Sequence, residues 1–399
     1  MSSANPEPAS REVVSLSRFG PVLDFASPSR PLYFRTGDVE IVGVGERARW
    51  TARGPHRFAE LGQRWTEALA TIDPTLRPYV HAIGSGAFDP EGEAFLIVPR
   101  VTVVRRGREV MTVTLGDPEG VPDAPRRTVG AAPVVEWPHI DSVYRDRVRS
   151  ALGRLDDDFG KVVVARAITG HVVTPGDERA PLVTLAAEYP DCHIFAVDGL
   201  WGASPETLVR VRDRRVHTRV LAGSAARGLD PQSDALAASE LEQSAKDRDE
   251  HEYAVRSVLD ALSPHCRAIV GASTPFTLRL SNVWHLASDI DGVLRPRESV
   301  LGIIDSLHPT AAVAGVPTDR ALATIADIEA IPRDRYAGPV GWIDGAGNGE
   351  WAIALRCAQW RETDIVAHAG AGVIVGSDPE SEYHETELKF RPIRDALSR

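Results

Sequence analysis

CHIFAVDGLWGASPETLVRVRDRRVHTRVLAG, residues 192–223, is the stretch whose reading decides the fold. Three runs in it, 192–198, 207–213 and 215–223, carry the β-branched, period-two pattern of strands. No helix-like segment stands between them, so the alternation of a βαβ unit is missing. KVVVARAI (161–168) precedes them as another strand, and further strands are predicted at 279–287, 340–343, 350–356 and 364–368. Upstream, VEIVGVG (39–45), EAFLIVP (93–99), RVTVVRR (100–106) and REVMTVTL (108–115) read the same way. Apolar residues at helical spacing mark 56–72, 142–158, a long helix or broken pair over 233–263, and a closing helix over 380–397. Strands and helices mixed in this order predict an α+β fold, mainly antiparallel sheets flanked by helices. The proline-rich stretch 117–138 predicts a crossing loop between two lobes. The lobes are 1–135, whose first 12 or so residues read as a flexible tail, and 136–399.

The chain has 399 residues, 43% of them apolar, and a formal charge of −11. That composition supports a large core. It argues against a general nucleic-acid or anionic-membrane surface, both of which need clustered positive charge. No window of 18 uninterrupted apolar residues is present, and the first residues lack the basic and apolar regions of a secretory signal. Three cysteines, Cys192, Cys266 and Cys357, form no close pair, so neither a disulfide framework nor a structural zinc site is expected, and a reducing cytoplasm is. GVGERA (43–48) matches the loose dinucleotide pattern, but a helix follows where a second strand is required. HEYAV (251–255) begins like a zinc-protease motif and lacks its second histidine. One bias stands out: 45 residues are basic and only Lys161, Lys246 and Lys389 are lysines. Arginine holds its proton at any useful pH, whereas lysine can give it up.

Two segments share a carboxylate spacing. Asp247 and Glu250 in KDRDEHE, and Glu382 and Glu385 in SEYHETELK, are each three apart, with Lys389 four after Glu385. On helices each pair lies on one face. Two such pairs facing one another would hold a hard cation such as Mg²⁺, which leaves coordination sites for an oxyanion. AHAGAGVIVG (367–376) precedes the second pair. Its Gly370 and Gly372 let backbone N–H groups approach an anion, and a tight turn is expected there.

These segments, with KVVVAR (161–166), RVLAGSAARG (219–228), VWHLASDI (283–290), LHPTAAVAGVP (307–317), RYAGPVGWID (335–344) and WAIALRCA (351–358), resemble in order the chorismate-utilising enzymes, isochorismate synthase in particular. The resemblance covers about 250 residues; the first 130 are only loosely supported. It implies that Lys161 is the general base activating water for attack at ring carbon 2. It implies that Glu206 is the general acid protonating the hydroxyl that leaves carbon 4. It makes Glu250 and Glu385 the main Mg²⁺ ligands, with Asp247 and Glu382 behind them through water. Tyr336, Arg356, Gly370 and Gly372 would cradle the enolpyruvyl carboxylate. His285, Thr310 and Lys389 would line the substrate pocket, and Leu221, Gly223 and Ser224 the ring, with serine where the family usually has threonine. The chemistry agrees: moving a hydroxyl across a ring needs a base and an acid on opposite faces. Neighbouring charge from Arg166 and desolvation would favour a neutral Lys161, and apolar Trp201 a protonated Glu206.

Within this family, members that use ammonia typically carry glutamine at the position of Lys161. Lysine there implies water as nucleophile and no obligate amidotransferase subunit. Ala222 stands where aminodeoxychorismate synthases place a ring-trapping lysine. Of the two water-using outcomes, isochorismate synthase is favoured over salicylate synthase, which goes on to expel pyruvate. The expected protein is a cytoplasmic, Mg²⁺-dependent isomerase, a monomer. Isochorismate feeds menaquinone and siderophore synthesis alike, and the sequence does not select between them. A non-enzymatic chorismate-binding protein should lack the base, the acid or a metal residue, and none is missing.

Overall fold

The computed structural model describes residues 9–15, 21–116, 127–137, 143–228, 230–272, 274–279, 283–329 and 331–397; at 9–15, 224, 226, 246, 250 and 283 the backbone alone is described. The described residues form two sheets, of 12 and 10 strands. Their ladders are antiparallel.

The decisive stretch folds as expected and adds one strand. His193–Val197, Thr207–Arg212 and Arg215–Ala226 are strands, and so is Leu200–Ser204. The added strand follows a two-residue turn, Asp198-Gly199, with φ of 52° and 79°. Both positive values fit the tight hairpin turn that Asp-Gly favours, so the signal for this hairpin was in the sequence. Asp213-Arg214 makes the next hairpin with φ of 49° and 64°.

Alternation along His193–Val197 distributes its side chains between two cores. Phe195 and Val197 join the larger cluster with Phe34, Phe58 and Trp351, whereas Ile194 and Ala196 join a second with Trp201, Trp360 and Phe390. The second cluster takes in Leu182 and Leu185 from helix Ala180–Glu188 and Phe390 and Ile393 from helix Pro379–Leu397. With both faces covered, the whole strand is buried.

Other elements depart from expectation at their ends. Ala9–Ser15 is an edge strand paired with Glu109–Leu115, so the tail gives way to sheet from Ala9 onward. The helix predicted over 142–158 is Tyr144–Leu152, ending at Gly153. The stretch 233–263 is the broken pair: Pro231–Gln243 starts on a capping box at Asp230 and Ser233, and Ala245–Leu262 starts on Ser244. Of the expected crossing loop, 117–126 and 138 lie outside the described residues, and Val134–Glu136 pairs with Lys161–Thr174.

The two expected lobes share their sheets. Leu32–Thr36 pairs with His193–Val197 in the larger sheet. His81–Gly86 pairs with Pro339–Asp344 in the smaller.

Candidate active site

The strand Lys161–Thr174 begins with the candidate base, flanked by Val316 on one side and Ile374 on the other. Its neighbour Asp364–Ile374 is one continuous strand, so the turn expected at Gly370 and Gly372 does not exist. What these glycines provide is lateral room. A Cβ at Gly372 would stand 3.1 Å from Lys161 Cε, and one at Gly370 would stand 3.2 Å from the Tyr336 hydroxyl. Their N–H groups nevertheless point outward. Val163 N–H donates to the Ala314 carbonyl at 2.8 Å and Ala165 N–H to the Glu329 carboxylate at 2.7 Å, both away from the neighbouring strand. Gly372 and Gly370 sit opposite these two residues, and facing residues of such a pair both turn their backbone groups away from each other.

Glu206 lies between Leu200–Ser204 and Thr207–Arg212, where the chain passes from one sheet to the other. Its N–H donates to Ser204 Oγ at 3.2 Å, and its carbonyl accepts from Ile353 N–H at 3.1 Å. Burial raises its pKa to about 7, against the lowering by Lys161, Arg356 and Lys389. Trp201 is not the desolvating wall: it stacks on Trp360 at 5.9 Å in the second core. Nor does Arg166 stand beside Lys161. Five residues along a strand it takes the opposite face, where its Nε donates to Thr386 Oγ1 at 2.7 Å and its guanidinium pairs with Glu387.

Both candidate catalytic groups line one cavity of about 680 Å³. Leu221, Gly223, His285, Arg356, Gly372 and Lys389 border it, as do Asp247, Glu382 and Glu385. Gly223, at φ 76°, is the extra residue of a β-bulge in Arg215–Ala226, where the pairing slips between Ala222 and Ser224. His285 hydrogen-bonds the Gly223 backbone, and burial with the nearby Lys161 charge lowers its pKa to about 4. The bulge lets helix Ala245–Leu262 come close: a Cβ at Gly223 would stand 3.2 Å from Asp247. His251 secures that helix, with Nδ1 3.0 Å from the Ala222 carbonyl and Nε2 2.8 Å from Ser288 Oγ.

The second acid pair sits on Pro379–Leu397. Lys389 Nζ donates to the Gly370 carbonyl at 2.8 Å and pairs with Glu385. Burial lowers the Lys389 pKa, and Glu385 opposes that. Burial raises Glu382, helped by the Glu385 charge and opposed by a hydrogen bond from Ser377. Asp247, Glu382 and Glu385 supply oxygen only, the donor set that Mg²⁺ prefers, and a cation would favour the charged form of Glu382 against its burial and the Glu385 charge. Among the described residues no group of three or more acid, histidine or cysteine side chains could hold a metal ion. The side chains of Glu250 and Ser224 lie outside the described residues.

Three expected residues, Gly370, Thr310 and Tyr336, stand apart from this cavity. Thr310 lines an adjoining chamber of about 240 Å³ that shares Glu206, Thr207 and Leu221 with it. Tyr336 is buried and stacked on His368, ring centres 5.3 Å apart. The sequence reading assigned no role to His217 and Arg219, which border the cavity. They alternate with Leu221 along Arg215–Ala226, so the period of two could have found them. Thr207, beside Glu206, gave no such signal.

Comparison with known proteins gives the following. The profile of a family described as chorismate binding enzyme matches residues 132–398. Isochorismate synthase DhbC of Bacillus subtilis is 35% identical over 387 residues, covering 93% of this chain and 92% of the relative. The salicylate biosynthesis isochorismate synthase of Pseudomonas aeruginosa is 33% identical over 413 residues, covering 92% and 84%. Among solved structures, the menaquinone-specific isochorismate synthase MenF of Escherichia coli superposes with a TM-score of 0.80 at 25% identity, covering 98% of this chain and 95% of that one. Anthranilate synthase component I of Streptococcus pneumoniae shares the fold, with a TM-score of 0.68 at 17% identity.

Proposed function

The chain belongs to the chorismate-binding enzyme family, and from that membership we propose that it is an isochorismate synthase, an isomerase that converts chorismate reversibly to isochorismate. The observation that carries the mechanism is that Lys161 and a Glu206 titrating near 7 border the same cavity. The Lys161 amine takes a proton from the water that bonds to ring carbon 2. Glu206 gives its proton to the carbon 4 hydroxyl, which leaves as water while the ring double bonds shift. Arg356 and the outward N–H groups of the 370–372 segment meet the enolpyruvyl carboxylate. His285 and Leu221 border the ring, and Tyr336 and Thr310 act from the cavity's margins. Asp247, Glu250, Glu382 and Glu385 would hold Mg²⁺, which when bound neutralises the ring carboxylate.

Lysine rather than glutamine at 161 favours water over ammonia, so the reading includes no amidotransferase partner. It also includes a cytoplasmic monomer; no described helix is long and apolar enough to cross a membrane. The test is incubation of the purified protein with chorismate and Mg²⁺ while isochorismate, salicylate and pyruvate are followed. Isochorismate without pyruvate is the expected product, and chelation with EDTA should stop its formation. Pyruvate released in step with chorismate loss would move the reading to salicylate synthase, and no turnover would end both.

A further inference from the structure

Behind Glu206 a line of buried polar side chains runs between the two sheets. His193 opens the strand His193–Val197 of the larger sheet and is 5% exposed. Its Nε2 lies 2.8 Å from the hydroxyl of Thr207, the residue after Glu206 in the smaller sheet. Its Nδ1 faces Glu350, 3.9 Å from Oε1. Glu350, on Gly349–Ile353, is 4% exposed and accepts from the Thr36 hydroxyl at 3.0 Å. The Phe34 ring lies 5.9 Å from the imidazole.

Such a line is costly. His193 Nδ1 and Glu350 Oε2 are buried without a hydrogen-bond partner, although Arg212 Nη2 stands 3.9 Å from Glu350 Oε2, and such buried polar atoms cost stability. Apolar side chains would hold two sheets together at least as well. Its end point supplies a purpose. The Glu206 backbone is held by Ser204 and Ile353, and the hydroxyl of the next residue, Thr207, is held by His193. The nearby carboxylate favours the proton on Nδ1, which leaves Nε2 to accept from Thr207. Burial favours the uncharged ring, against Glu350 and together with Arg210.

We propose that His193, oriented by Glu350, is a positioning residue for Glu206: by holding the Thr207 hydroxyl it fixes the backbone that aims this carboxyl into the cavity. The inference rests on the reading of Glu206 as the general acid, and it is tested by two separable measurements on His193→Phe, His193→Gln and Thr207→Val. The first is the titration of Glu206 itself, followed by difference infrared spectroscopy of the protonated carboxyl from pH 5 to 9, with Glu206→Gln to identify the band. Lys161, Arg356 and Lys389, the charged groups that face Glu206, are unchanged in the three variants. In His193→Phe and Thr207→Val the loosened carboxyl should meet water and titrate at least half a unit lower, whereas His193→Gln, whose amide oxygen can accept from Thr207, should stay near the parent. The second is steady-state kinetics with chorismate and Mg²⁺. The two disruptive variants should lose about tenfold in kcat with KM within twofold, as misplacement of a catalytic group does, and the alkaline limb of the rate profile should move down with the infrared titration. A Glu206 titration and kcat unchanged in both disruptive variants, whatever their melting temperatures, would overturn the proposal. A shifted titration in a protein that never turns over chorismate would leave His193 in place and sink the isochorismate synthase reading instead.

Discussion

Glu206 titrates near 7 because burial outweighs three nearby cations, Lys161, Arg356 and Lys389. The sign has two consequences. As the proposed general acid Glu206 must be protonated, so it gives the rate profile an alkaline limb near pH 7, set against the need of the Lys161 base for an uncharged amine. His285, held to about 4, stays neutral across that range and does not confuse the limb. The folded protein also binds this proton more tightly than the unfolded chain does. Its contribution to stability is full below about 4.5, the ordinary glutamate value, and is lost as pH rises through about 7. Glu206→Gln should therefore cut kcat by roughly a hundredfold or more. It should also melt higher than the parent at pH 8, by roughly 3 kcal/mol in unfolding free energy, and come close to it at pH 4. Thermal denaturation at the two pH values checks this; a Gln variant less stable at pH 8 would show that Glu206 is not a strained acid.

The strand Lys161–Thr174 and the helix Pro379–Leu397 act together at the next scale. Arg166 joins them, 2% exposed, with its guanidinium carbon 4.4 Å from the Tyr383 ring centre and 4.9 Å from that of Phe390. Arg166→Ala should cost about 2–3 kcal/mol, chiefly because it opens a hole under the helix that carries Glu382 and Glu385, while Glu387 keeps its pair with Arg394 at 2.9 Å. Urea denaturation reads the loss. Gly372→Ala tests the strand's other face. Its methyl meets Lys161 Cε at 3.1 Å, so kcat should drop about tenfold with the fold intact. Gly160→Ala, where a Cβ meets nothing within 4 Å, is the control, and equal rates for the two would show that the lane beside Lys161 has slack. A turn was the natural reading of AHAGAGVIVG because glycine marks turns, yet here it marks close packing of side chains across a ladder.

At the scale of the whole molecule, strands from the first 115 residues sit inside both sheets, and the larger core joins Phe34 and Phe58 to Phe195 and Trp351. The chain should therefore unfold in one cooperative transition, and residues 136–399 expressed alone should expose apolar strand edges and aggregate. Calorimetry of the full chain checks the first, and two resolved transitions would show separable lobes. What the sequence determined by itself was local and repetitive: the strand period, the helix faces, the Asp-Gly hairpin, and the ordered motifs that brought Lys161, Glu206 and the acid pairs to attention. Only tertiary structure decided which of these meet. Whether Lys161 and Glu206 share a cavity, which helix Arg166 meets on the opposite face of its strand, and how His193 reaches Thr207 all depend on contacts between segments far apart in the chain. Such contacts are set by how sheets stack and where a strand bulges, and no window of neighbouring residues encodes them.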